Sequence, residues 1–193
     1  MIANSINEIE ANLVAASNMD WDRFYIGQPR LTKTENGINY WVQKIDRYPL
    51  IRLAHFTRLR WPSKVGFQTV ESIAKEILIT SGLASTKYLH RSSNTEWHWF
   101  LSSDTLSVGE PIAAFKVWLK KTSVKERTIK QVIKRNNHKG FPDFIDFDTK
   151  KNCLVAWEVK APFDQVQKHQ TSTLQDLSKL LKVEVNILSF EFD

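Results

Sequence analysis

Two acids and an amine stand at spacings that suit metal-assisted phosphoryl chemistry. Asp143 follows Pro142 at the end of a glycine-containing loop and enters the apolar run Phe144-Ile145-Asp146-Phe147. The next apolar run, Cys153 to Val159, ends in Glu158-Val159-Lys160. Side chains alternate along a strand, so Glu158 and Lys160 project from the same face. If the two runs pair antiparallel through the turn-like Asp148-Thr149-Lys150-Lys151-Asn152, Asp143 is brought beside that face. Two carboxylates then form a hard oxygen site for Mg2+ or Mn2+, a cation that binds phosphate oxygens and acidifies a water. A neighbouring lysine orients that water or offsets charge developing on the phosphoryl group. The combination suits hydrolysis of a phosphodiester.

Other chemistries find no support. The five histidines (His55, His90, His98, His138, His169) show neither His-x-His nor His-Glu-x-x-His spacing, and the single cysteine, Cys153, excludes an internal disulfide and a Cys-rich zinc site. No glycine-rich phosphate loop occurs, so no nucleotide cofactor is expected. No apolar run approaches the roughly 18 residues that span a bilayer. The start, Met1-Ile2-Ala3-Asn4-Ser5, lacks the basic and apolar segments of a signal peptide, so a cytoplasmic protein with no membrane partner is expected. The net charge is +6, and residues 116–139 hold nine basic side chains against one acid, Glu126. A block of that sign attracts a polyanion by counterion release. Within it Lys130, Lys134, Arg135, His138 and Lys139 are the candidate nucleic-acid contacts.

The elements that must position these groups form a small α/β core in the second part of the chain. At 193 residues the chain fits one large domain or two small ones. The spacing predicts a helix after Glu110-Pro111, from 110 to 121, with Ile112, Phe115, Val117, Trp118 and Leu119 on its buried side. Residues 128–135 suit a strand or a helix equally. Strands follow at 144–147 and 153–159, then a helix over 163–181 and a closing strand from Val183 to Phe190. Asp164 is expected to cap that last helix. Before this core, periodicity predicts helices over 4–16, 50–59 and 70–82, and two strands, 86–91 and 95–101, joined as a hairpin. That order suits a winged helix. Residues 102–109 are the expected boundary, dividing an N-terminal α+β region for DNA binding or dimerisation (1–107) from the core (108–193).

The segments Gly140-Phe141-Pro142-Asp143-Phe144 and Trp157-Glu158-Val159-Lys160-Ala161-Pro162-Phe163-Asp164, with Gln170 beyond them, closely resemble the VRR-NUC family of the PD-(D/E)xK nuclease superfamily. The resemblance runs from near Glu110 to the C-terminus. It implies the superfamily's mixed sheet flanked by helices and a Mg2+- or Mn2+-dependent DNA endonuclease. Asp143 and Glu158 would be metal ligands with the Val159 carbonyl helping, Lys160 the catalytic lysine, and Gln170 an assisting residue. The family also places an acid on its first helix. Glu110 is the first choice and Glu126 the second, while Glu71 or Glu76 would require the N-terminal half to belong to the core. Where the family commonly writes Arg-Leu-Ser after the Asp, this chain has Gln165-Val166-Gln167, which bears on substrate contacts more than on hydrolysis. Small stand-alone members of the superfamily resolve branched DNA as dimers, so a homodimer acting on branched or structured DNA is expected. The rival readings are a restriction-type or transposase-associated nuclease, a non-catalytic DNA-binding protein, and a nuclease directed at RNA.

Overall fold

A computed structural model describes residues 25–45, 51–52, 59–63, 66–91, 113–124, 126–136 and 139–193. In chain order its elements are β1 (Tyr25–Glu35), β2 (Ile38–Ile45), β3 (Ile51–Arg52), β4 (Leu59–Ser63), β5 (Gly66–Thr69), α1 (Val70–Thr80), β6 (His90–Arg91), α2 (Ala113–Lys121), α3 (Glu126–Arg135), β7 (Phe144–Asp148), β8 (Cys153–Lys160), α4 (Lys168–Leu181) and β9 (Glu184–Phe192). None of the described helices is long and apolar enough to cross a membrane.

The antiparallel pairing expected through the turn at 148–152 is present. β7 pairs antiparallel with β8, Phe144 opposite Trp157 and Asp148 opposite Cys153. Its turn is held by Asp148, whose Oδ1 accepts from the backbone N–H groups of Lys150 (2.8 Å) and Lys151 (3.0 Å). An aspartate that satisfies the backbone in this way is a turn former in its own right. β9 returns parallel to β8 after the α4 crossover, as a parallel pair requires.

Strands from the N-terminal half complete the same sheet. β2 pairs parallel with the free edge of β9, β1 lies antiparallel outside β2, and β6 lies antiparallel beyond β7, giving the order β1-β2-β9-β8-β7-β6. β8 is therefore central and covered on both faces, which is why its sequence reads as a near-continuous apolar run rather than an alternation. On one face Leu154, Ala156 and Ile187 pack with Phe115 and Trp118 of α2, Val132 of α3 and Leu174 and Leu177 of α4. On the other, Val155, Trp157 and Val159 pack with Ile73, Ala74, Ile77 and Leu78 of α1.

Several expectations change. Residues 50–59 were expected as a helix, but Ile51–Arg52 and Leu59–Ser63 are strands of a small antiparallel sheet, β3-β4-β5. Pairing with Gly66–Thr69 overrides the weak helical spacing, and Pro62 is tolerated because β3 reaches only Leu59 and Arg60, leaving the other side of Pro62 without a described strand. Of the expected strand 86–91 only His90 and Arg91 are strand, and they pair with β7 instead of a neighbouring hairpin arm. The ambiguous stretch 128–135 lies within α3. The helix expected over 4–16, the strand over 95–101 and the boundary at 102–109 lie outside the described residues, so a winged helix finds no support here.

Candidate active site

Continuing the β7–β8 register one step beyond Phe144 and Trp157 sets Asp143 opposite Glu158. Alternation along β8 then puts Glu158 and Lys160 on the face of Leu154 and Ala156, beneath α4. Both are buried, Glu158 at 3% exposure and Lys160 at 8%. Charged groups survive at that depth only when paired. The pairing is a closed ring. Lys160 Nζ lies 2.7 Å from Glu158 Oε1. Gln170 Nε2 donates to the same Glu158 oxygen at 2.6 Å, and Gln170 Oε1 accepts from Lys160 Nζ at 3.0 Å. That Oε1 also accepts from the backbone N–H of Gln167 at 2.9 Å. One amide thus satisfies an orphan donor in the first turn of α4 and locks the lysine against the glutamate.

Asp143 is oriented by β8 itself, its Oδ2 accepting from the Val159 N–H at 2.8 Å. Burial pushes the Asp143 carboxyl above the usual carboxylate range; the Val159 hydrogen bond, Lys160 and Arg91 oppose the shift, and Glu71 adds to it. Burial also raises Glu158, with the Asp143 charge adding and Lys160 opposing. The Asp143 charge disfavours the ionised form of Glu158, a repulsion that a divalent cation between the two carboxylates would relieve. Among the described residues no three His, Cys, Asp or Glu side chains stand together as a cage. The acids that do meet here are Asp143 and Glu158.

The loop into β7 is pinned to α4. Gly140 has φ +75, and a Cβ on it would lie 2.8 Å from Gln170 Cα and 2.9 Å from the His169 carbonyl oxygen. The Thr173 hydroxyl donates to the Lys139 carbonyl at 2.6 Å. The glycine of the motif is therefore what lets the Asp143 loop and the Gln170 turn meet.

The remaining site candidates separate. Glu110 and His138 lie outside the described residues, as do the side chains of Glu126 and Lys130. Glu76 is exposed on α1. Glu71, given low rank from sequence, stands in the first turn of α1, close enough to raise Asp143, and pairs with Arg91 at 3.4 Å. Its only sequence signal is an acid just after the N-cap Thr69; the sheet order brings it to the site. Lys134, Arg135 and Lys139 are all exposed, and Arg135 also pairs with the buried Asp176 at 3.3 Å. Asp164 does not cap α4: its backbone N–H bonds the Ala161 carbonyl in a turn, and Gln167 is the N-cap.

No curated protein matches the chain. The model of the VRR-NUC domain matches residues 103–188, a span that contains Asp143, Glu158, Lys160 and Gln170. With that match and the mixed sheet that carries these residues, the C-terminal part of the chain is a VRR-NUC domain, a nuclease domain of the PD-(D/E)xK superfamily.

Proposed function

We propose that the protein is a divalent-metal-dependent endonuclease that hydrolyses phosphodiester bonds in DNA, with branched or otherwise structured DNA as its substrate. The observation that carries this reading is the convergence of Asp143, Glu158 and Lys160 on one strand pair, with Gln170 tying the last two. Asp143 and Glu158, assisted by the Val159 carbonyl, would hold Mg2+ or Mn2+. A cation so held supplies Lewis acidity toward the phosphate and lowers the pKa of water. Lys160 is buried and fixed by two partners, so its ammonium needs no reorganisation to hydrogen-bond an attacking water or a phosphoryl oxygen. Gln170 holds the lysine in that orientation, and the Val159 N–H holds Asp143. The exposed Lys134 and Lys139 supply positive surface for the DNA backbone, Lys139 immediately before the glycine that abuts Gln170. Two cuts in one junction need two sites, so the working assembly under this reading is a homodimer.

The test is digestion of linear, flapped and four-way DNA by purified protein with Mg2+, Mn2+ or EDTA. Cutting is expected with either metal and none in EDTA, with the branched substrates favoured. Asp143→Ala and Lys160→Ala should each abolish cutting while DNA affinity stays within a few fold. Cutting in EDTA, or wild-type turnover in either variant, would overturn the reading.

A further inference from the structure

The loop that leaves β8 carries a residue its own backbone disfavours. Ala161-Pro162-Phe163-Asp164 is a tight turn, closed by the Asp164 N–H on the Ala161 carbonyl at 3.0 Å. Proline stands at its second position and φ is +72 at its third, Phe163, the pattern of a type II turn. That third position calls for glycine, because a Cβ there crowds the backbone. Phe163 occupies it nonetheless, 87% exposed, with one ring neighbour among the described residues, Phe192, 5.7 Å away and tilted by 51°. The ring is therefore neither favoured by the turn nor buried by the fold. A bulky side chain held in the open against its local preference points to a contact made outside the chain.

The loop's place selects that contact. Its two ends meet at one atom: Gln170 Oε1 accepts from Lys160 Nζ at 3.0 Å and from the Gln167 N–H at 2.9 Å. Residues 161–167 are thus closed on the side chain that ties Glu158 to Lys160, and Phe163 lies three residues beyond that lysine. A chain advances at most about 3.6 Å per residue, so the two Cα atoms stand within about 11 Å. The ring is beside any phosphodiester held at Lys160. The flat apolar surfaces that a nucleic acid offers a ring are the faces of its bases, and in continuous duplex those faces are stacked on one another. Only an unpaired base has a face to give. We propose that Phe163 stacks on an unpaired base next to the scissile phosphate and so makes the protein prefer DNA carrying unpaired bases, such as a flap, over continuous duplex. This rests on the nuclease reading and adds to it the residue that senses the structure of the DNA.

Binding measured in EDTA tests it, with a flapped duplex and the same duplex without its flap as probes. Wild type is expected to bind the flapped DNA tighter. Phe163→Gly and Phe163→Leu should each lose about tenfold on the flapped DNA and less than about twofold on the duplex, the scale of one base–aromatic stack. Leucine keeps an apolar side chain on the same backbone, so its loss isolates the ring. Phe163→Tyr keeps the ring and should keep the preference. A wild type without the preference, a preference unchanged in Phe163→Gly, equal losses on both DNAs, or a loss in Phe163→Tyr as large as in Phe163→Leu would each overturn the proposal. A changed oligomeric state in Phe163→Gly with the DNA preference intact would also overturn it and assign the ring to a second copy of the chain. The nuclease reading fails separately. A Phe163-dependent preference for the flap without metal-dependent cutting would sink that reading and leave the stacking residue in place, whereas cutting without the preference would do the reverse.

Discussion

In Gly140→Ala, the added methyl would stand 2.8 Å from Gln170 Cα, 2.9 Å from the His169 carbonyl oxygen and 3.0 Å from Gln170 N. All three are backbone atoms of the first turn of α4, so no rotamer change relieves the clash. Ordinary contact begins near 3.4 Å, and the turn must therefore retreat by about 0.6 Å or the loop must move as far. Two costs add. Holding a non-glycine residue at φ +75 costs about 1–2 kcal/mol, and overpacking against fixed backbone costs about 1–3 kcal/mol. A destabilisation of about 2–5 kcal/mol is expected in urea or thermal unfolding. The displaced turn carries Gln170, whose bonds to Glu158 and Lys160 are 2.6 and 3.0 Å long, so the same movement loosens the lysine. Misplacement on this scale lowers turnover about 100-fold under the proposed function. Unfolding is measured apart from cleavage, so a fold defect and a site defect are read independently. A variant that unfolds and cuts as the wild type does would refute the claim that this glycine sets the distance between loop and helix.

Other outcomes follow from the same geometry. Asp143 and Glu158 are both raised above the ordinary values of 3.8 and 4.5, so the folded state binds their protons more readily than the unfolded chain. In EDTA their contribution to stability is full below those ordinary values and is lost as pH rises through the raised folded ones; Glu158→Gln should flatten that slope in pH-dependent urea melts, and an unchanged slope would count against the shift. Phe163 is 87% exposed with φ +72, a conformation that penalises a bulky side chain, so Phe163→Gly should unfold within about 1 kcal/mol of wild type despite the removal of an aromatic ring. A destabilisation above about 2 kcal/mol would show that the ring, 5.7 Å from Phe192, is holding structure. Replacing Lys134 and Lys139 by Gln should lower the slope of log affinity against log salt for DNA binding by about one for each phosphate that is no longer neutralised; an identical slope would remove both from the interface.

The meeting of Asp143, Glu158 and Lys160 was legible because it rests on short-range rules. Period-two alternation puts Glu158 and Lys160 on one face, and a five-residue turn headed by Asp148 forces the antiparallel register that brings in Asp143. Gln170 came from the resemblance alone, since nothing in its spacing announces a helix turn that reaches back to a strand. Glu71 was ranked low because its place depends on β1, β2 and β6 joining the sheet of β7 to β9. That joining is a parallel pairing of Ile38–Ile45 with Val185–Phe192, and strands so far apart in the chain leave no local signature of their register. The same pairing places Asn39 and Trp41 against Asn186. By itself the sequence determined which groups meet on adjacent strands, because a hairpin encodes its own geometry. The tertiary structure alone decided what stands across from them, because distant strands find each other only through the burial of the shared core.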